Sequence, residues 1–259
     1  MSAQPIIELG RGATRFVLSL GEVAAFTSQI LASLFRTPLR VRRILDEIYG
    51  IGVLSLSIIL LSGLVVGLVL GLQGYTTLVR FGAEQNLGAM VGLVLIREMG
   101  PVLTALLITG RAGSAVAAEI GSMVVTEQLD GLRMMSIEPV DYVVKPKVVA
   151  MVLSMPLLAA LFTVMGILGG WIVGVIFVGG DSGVYLSSLE SSVVFREDVL
   201  GSLIKTLVFG ILVALIATWR GFTARPSAAG VSAATTSTVV SASVFVLIFN
   251  YFITALWRF

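Results

Sequence analysis

Hydrophobic positions in this chain run together in long blocks separated by short polar segments. A membrane-spanning helix needs about 20 largely apolar residues. Stretches 53–72, 87–108, 199–219 and 231–257 meet that requirement. The last opens on a small, Ser/Thr-rich turn at 232–243 and becomes strongly apolar at Val244. A further stretch, 148–178, contains Pro156 and would make a straight helix of about 46 Å, longer than the hydrocarbon core. It must tilt, kink at the proline, protrude, or divide into two short crossings. Segment 16–35 is long enough to span but holds Glu22, Thr27, Ser28 and Gln29 and has arginines on both flanks. An amphipathic helix lying in the interface satisfies both flanks better than a sixth span does.

The cations orient a five-span reading. Arg11, Arg15, Arg36, Arg40, Arg42, Arg43, Arg111, Arg133, Lys145, Lys147, Arg220 and Arg225 fall on one side, and Arg80, Arg196 and Arg258 on the other. The positive-inside rule then predicts a cytoplasmic N-terminus and an external C-terminus. Two short crossings over 148–178 would break this segregation. Arg97 and Lys205 remain within the membrane.

Composition agrees. Of 259 residues, 57% are hydrophobic and 12% charged, with a mean hydropathy of +1.03. A soluble domain carries about 25% charged residues, so lipid is the solvent for most of this surface. The net charge of +2 gives no reason to expect a nucleic-acid partner. With no Cys and no His there is no disulfide, thiol nucleophile, histidine base or thiolate or imidazole metal site. No Walker A motif occurs, so any nucleotide is bound by another subunit and no cofactor is expected in this chain.

Four segments carry chemical content. Gly63, Gly67 and Gly71, and again Gly166, Gly170 and Gly174, stack small residues on one helix face. That permits close packing inside one chain or a homodimer seam. Arg97 and Glu98 sit mid-span, and Pro101 cannot donate the hydrogen bond that the Arg97 carbonyl would otherwise receive. Lys205 falls at a similar depth. Such charges either lock helices together as an ion pair, Glu98 with Lys205 or with Arg97, or line a cavity for an amphipathic or anionic ligand. In 70–81, Gln73 and Tyr75 suit the outer interface as belt anchors, or form a cavity wall with Leu70, Leu78 and Phe81. Finally, the 110–147 stretch is too apolar for a free linker and too charged to span. Its periodicity predicts short helices with Glu119, Glu127 and Asp130 on the polar face, and Met134 and Met135 are adaptable contacts for a partner. Five acids near an anionic leaflet favour a protein-docking element over a helix resting on headgroups.

The motifs LGLQGY, REMGPVLTALLITGRAGSAVAAEIG, TEQLDGLRMMSIEP and PSAAGVSAATTSTVV closely resemble the MlaE/YrbE permeases of bacterial ABC transporters, over roughly residues 45–257. The resemblance implies a homodimer in the bacterial inner membrane and an ATPase subunit, carrying ATP and magnesium, docked on the loop between spans two and three. It implies an external MCE-protein hexamer, a STAS-domain accessory subunit, and phospholipid in an outward-open cavity. The family's cavity positions match Leu70, Leu78, Phe81, Arg97, Glu98 and Lys205 here, with Gln73 and Tyr75 nearby. The docking positions match Glu119, Glu127, Gln128, Leu129, Met134 and Met135. Phe81 lacks the hydroxyl that some relatives carry at its position.

The expectation is therefore an all-α polytopic membrane protein: an interfacial segment over 1–47, then a five-span domain over 48–259 with a coupling helix in about 111–147. Its expected function is the non-catalytic permease subunit of an ATP-driven phospholipid transporter that maintains outer-membrane asymmetry. An ion-coupled secondary transporter using Glu98 as a proton carrier is the alternative, though five spans do not form equal inverted repeats. A lipid-modifying enzyme would lack the usual catalytic groups, and a pure scaffold would leave the intramembrane charges idle.

Overall fold

The computed structural model describes residues 18, 21–34 and 40–257, and among these it holds helices and no strand. In chain order α1 covers 21–34, α2 Val41–Ile51, α3 Leu56–Leu78, α4 Leu87–Val94, α5 Gly100–Ile108 and α6 Ser114–Val125. Then come α7 Gln128–Met134, α8 Lys145–Trp171, α9 Ser182–Ser192, α10 Leu200–Phe222 and α11 Ala228–Trp257. Tight and widened turns splice these into five helices long and apolar enough to cross a membrane: Val41–Phe81, Glu84–Val125, Val140–Phe177, Phe195–Phe222 and Ala228–Leu256. The protein is an all-α polytopic membrane protein. Residues 47 and 48, either side of the division suggested by the sequence, both lie within α2.

Several helix ends differ from the hydropathy limits because packing continues where apolar composition stops. Span two does not end at Ile108. It passes through a π turn, Thr109–Gly113, into α6, which buries Val116, Ala117, Ile120 and Gly121 and packs on α10 and α11. Much of the expected docking loop is thus an extension of span two, and only α7 is a separate short helix. The Ser/Thr-rich stretch 232–243 is helix rather than turn. Its hydroxyls donate back to carbonyls one turn earlier, as from Thr235 to Ser232 O at 2.7 Å and from Thr238 to Ala234 O at 2.8 Å. Over 148–178 the chain forms one crossing. Helix α8 runs unbroken through Pro156.

α1 lies across one end of the bundle. Phe26 packs against Trp219 and Phe222, with ring centroids 5.2 and 5.4 Å apart, where α10 finishes. Near the other end of α1, the Ser33 carbonyl accepts from Lys145 Nζ at 2.7 Å, where α8 begins. Both contacts lie at the same end of the bundle. Arg11, Arg15, Arg36 and Arg258 lie outside the described residues. Lys145 and Lys147, counted above among the orienting cations, are 3% and 2% exposed and so face protein rather than lipid headgroups.

The glycine stripes serve packing within the chain. Gly63, Gly67 and Gly71 of α3 lie on Phe162, Gly166 and Gly170 of α8, and a Cβ on Gly67 would sit 1.9 Å from the Gly166 carbonyl oxygen. At the bundle end opposite α1, α9 folds back inward. Gly88 meets Tyr185 and Gly92 meets Leu189, so α9 descends alongside α4 in the same direction. Asp181 caps α9 by accepting from Val184 N at 2.9 Å. Tyr185 is buried, its hydroxyl donating to Ile167 O at 3.1 Å, and burial pushes its phenol well above the usual tyrosine range. Because α9 has already carried the chain inward, the fourth long helix starts at depth, at Phe195. That start brings Asp198 and Lys205 level with Arg97 and Glu98.

Gly67→Ala should lower the stability of the detergent-solubilised protein by about 1–3 kcal/mol, the usual cost of overpacking. Gly50→Ala, where a Cβ meets nothing within 4 Å, should instead be neutral or stabilising, since alanine is the better helix former. Equal thermal-unfolding shifts for the two variants would refute the packing account.

Candidate functional site

The polar cluster at membrane depth draws its charges from the second and fourth long helices and two neutral donors from α11. Leu95–Met99 forms a π turn, in which the Gly100 N–H reaches back to Leu95 O. Such widened turns commonly mark functional sites. Pro101 follows immediately and has no N–H to offer the Arg97 carbonyl. Lys205 supplies the missing donor, its Nζ lying 2.7 Å from Arg97 O. The same ammonium donates to Glu98 Oε1 at 2.9 Å. From α11, Asn250 Nδ2 donates to Glu98 Oε2 at 2.9 Å and Thr254 Oγ1 donates to Oε1 at 3.0 Å. One carboxylate therefore gathers donors from α10 and α11 onto span two. Lys205 is 5% exposed, while the side chain of Glu98 is 37% exposed.

Arg97 turns to a different acid. Its Nε is 2.5 Å from Asp198 Oδ1, and the Asp198 side chain is 1% exposed. The other Asp198 oxygen accepts from Val194 N at 2.7 Å. Both acceptor atoms of Asp198 are thus committed, and it holds Arg97 by the inner edge of the guanidinium. The Arg97 side chain remains 43% exposed, and its two terminal nitrogens make no hydrogen bond among the described residues. Exposed Met99, Val194, Phe195, Val199 and Leu203 lie on the neighbouring turns. A half-exposed cation with a free fork, set among apolar side chains, can take a phosphate-bearing amphiphile.

Of the two sequence alternatives for these charges, the ion pair forms between Glu98 and Lys205 and not between Glu98 and Arg97. Asp198, Asn250 and Thr254 complete the cluster and were not singled out from sequence. Their signals are periodic: Asp198 and Lys205 are seven apart, two turns on one helix face, and Asn250 and Thr254 are four apart. On α3, Leu70, Tyr75 and Leu78 are half-buried against the core, whereas Gln73 and Phe81 are exposed, Phe81 at 79%. Tyr75 also borders a cleft of about 370 Å³ with Glu84, Asp181 and Tyr185, at the end of the bundle opposite α1. Neither Gln73 nor Tyr75 bonds to the charged cluster among the described residues.

At the α1 end, the sequence-predicted docking residues separate by burial. Glu127 takes a left-handed conformation, φ 55°, that breaks α6 from α7. Glu127 and Gln128 are exposed, and Met134 and Met135 are 84% and 64% exposed. Leu129 points inward at 5% and anchors the short helix. Glu119 is not free: it pairs with Lys147 Nζ at 2.7 Å.

These features define a multi-pass membrane protein with charges locked at depth, apolar surfaces around them, and an exposed short helix at one end. The chain belongs to the Permease MlaE family, whose model matches residues 44–256. It is 49% identical over 213 residues to the intermembrane phospholipid transport system permease protein MlaE of Haemophilus influenzae, covering 82% of each chain. It is 39% identical over 251 residues to a probable ABC transporter permease protein of Rickettsia bellii, covering 96% of each. A more distant relative, the chloroplastic protein TRIGALACTOSYLDIACYLGLYCEROL 1 of Arabidopsis thaliana, is 30% identical over 229 residues, spanning 88% of this chain and 65% of that one.

The burial asymmetry of the ion pair predicts an order of effects. Removing Glu98 strands a buried ammonium, which typically costs about 3–5 kcal/mol, whereas removing Lys205 leaves a partly solvated carboxylate that keeps two neutral donors. Glu98→Gln should therefore destabilise more than Lys205→Met, and the double variant Glu98→Gln, Lys205→Met should recover much of the loss. Additive losses in a double-mutant unfolding cycle would show that the pair is not coupled.

Proposed function

We propose that this chain is the membrane subunit of an ATP-driven phospholipid transporter and works as a homodimer. The names of the Haemophilus and Rickettsia relatives, phospholipid transport permease and ABC transporter permease, support the reading. The observation that carries it is Arg97, held at membrane depth by Asp198 with its terminal nitrogens unused. A phospholipid needs a cationic donor for its phosphate and apolar walls for two acyl chains. Arg97 meets the first need. Leu70, Leu78 and Phe81 of the first span, brought together across a dimer, meet the second.

The hydrogen bonds support different roles for the two cations. Lys205 is bonded to Arg97 O and Glu98, so it braces the site, while Arg97 contacts the headgroup. Glu98 balances the buried charge. ATP and magnesium act in a separate ATPase subunit seated on Glu127, Gln128, Met134 and Met135 and assisted by a STAS-domain protein. An MCE-domain hexamer receives or delivers lipid at the opposite face. The cation-rich end of the bundle faces the cytoplasm and the C-terminal end of α11 the periplasm, placing the protein in the bacterial inner membrane.

In vesicles reconstituted with the partner ATPase, Arg97→Ala should reduce bound phospholipid and ATP-dependent lipid movement by about tenfold or more, as expected for a lost charge-assisted hydrogen bond. Lys205→Met should act mainly through stability. Wild-type lipid binding and movement in a well-folded Arg97→Ala variant would overturn the headgroup assignment.

A further inference from the structure

A second charge cluster lies far from the lipid site, at the α1 end of the bundle. Lys147, in the first turn of α8, has a side chain only 2% exposed, and its ammonium is 2.7 Å from both Glu47 Oε1 on α2 and Glu119 Oε2 on α6. One buried cation thus joins three helices. The two acids are less enclosed, their side chains being 27% and 51% exposed. They border a cleft of about 350 Å³ lined also by Arg43, Asp46, Met123 and Tyr142.

α2 is tied at its two ends as well. Arg43 lies over the Tyr142 ring, 3.5 Å from its centroid, and donates to the Tyr142 hydroxyl and to its carbonyl, the latter at 3.2 Å. Arg111 of span two donates to Gly50 O at 2.9 Å and to Ser55 Oγ at 2.7 Å, where α2 passes into α3. Glu119 stands two turns before the break at Glu127 that begins the exposed α7 hairpin. α2 leads directly into the helix that carries Leu70, Leu78 and Phe81.

We infer that Lys147 is a positioning residue that links the α7 hairpin to the first long helix through Glu119 and Glu47. A push on α7 moves α6, Glu119 passes it to Lys147 at the start of α8, and Lys147 draws α2 and the α3 wall with it through Glu47. This rests on the transport reading above for its consequence, the coupling of hydrolysis to lipid movement. The ion-pair hub itself is a property of the chain.

Glu47→Ala and Glu47→Leu are suitable variants, because each leaves Lys147 its Glu119 partner and places a good helix former in a helix. Hydrogen exchange of the α2 amides is followed before and after the partner ATPase is added, and ATP hydrolysis and lipid movement are measured separately in vesicles. In the wild type, ATPase docking protects α7 and also changes α2 exchange; each variant should keep the α7 protection and lose the α2 response. Hydrolysis should stay within about twofold of wild type while lipid moved per ATP falls by about fivefold or more, the lower end of typical coupling between sites. An α2 response that persists in both variants overturns the inference, as does its absence from the wild type. So does a parallel loss of hydrolysis and transport, the mark of a purely structural hub. Wild-type vesicles in which ATP moves no lipid would sink the transport reading alone, leaving the exchange result to judge the hub. Unprotected α7 amides would sink the docking assignment and the hub together.

Discussion

A bilayer offers no water to an unpaired charge or an open backbone carbonyl, and the polar core of this protein follows from that constraint. Pro101 withholds an N–H from span two at the point where Arg97 and Glu98 enter lipid depth. Lys205 on α10 meets the open Arg97 carbonyl, and together with Asn250 and Thr254 on α11 it surrounds the Glu98 carboxylate. Those partners must reach the right height. The inward return of α9 along α4 achieves this by starting the fourth long helix below the bundle's end. A local defect in one helix thereby sets the register of two others.

The same currency is used at the other end with a different result. There the cations Lys147, Arg43 and Arg111 clamp α2 to α6, to the turn before α8 and to span two. Between the two charge clusters the helices hold one another by close approach. α3 and α8 touch backbone to backbone along their glycines, where larger side chains would force them apart. A bundle with polar clamps at its ends and a thin glycine seam between them is stiff along each helix.

Much of the architecture was legible in the sequence because hydropathy reports directly on the solvent. The Glu98–Lys205 pairing was one of two ion pairs that depth allowed, and all five spans could be read from hydropathic runs. Helix ends could not. Residues 114–125 have the same amphipathic look whether they form a free surface helix or extend a span, and only their burial against α10 and α11 decides it. Asp198 was missed for a related reason: it precedes the apolar run of the fourth span, so hydropathy assigns it to water, whereas α9 carries that region inward. Asn250 and Thr254 are neutral and few, and they gain significance only once Glu98 is seen between them.

The division of labour between Arg97 and Lys205 shows why charge at membrane depth is a poor guide to substrate contact until its hydrogen bonds are counted. Both residues are cations at one level, and both satisfy the same sequence criterion. Lys205 has a single nitrogen, already bonded to a carbonyl and a carboxylate in a buried setting. Arg97 has three, one of them held by Asp198 and two at the exposed edge. A guanidinium can be anchored at one edge and still present the other, which an ammonium cannot do with comparable geometry. That chemical difference, rather than depth or charge, is why the lysine is fully engaged within the protein while the arginine keeps an unbonded edge among the described residues.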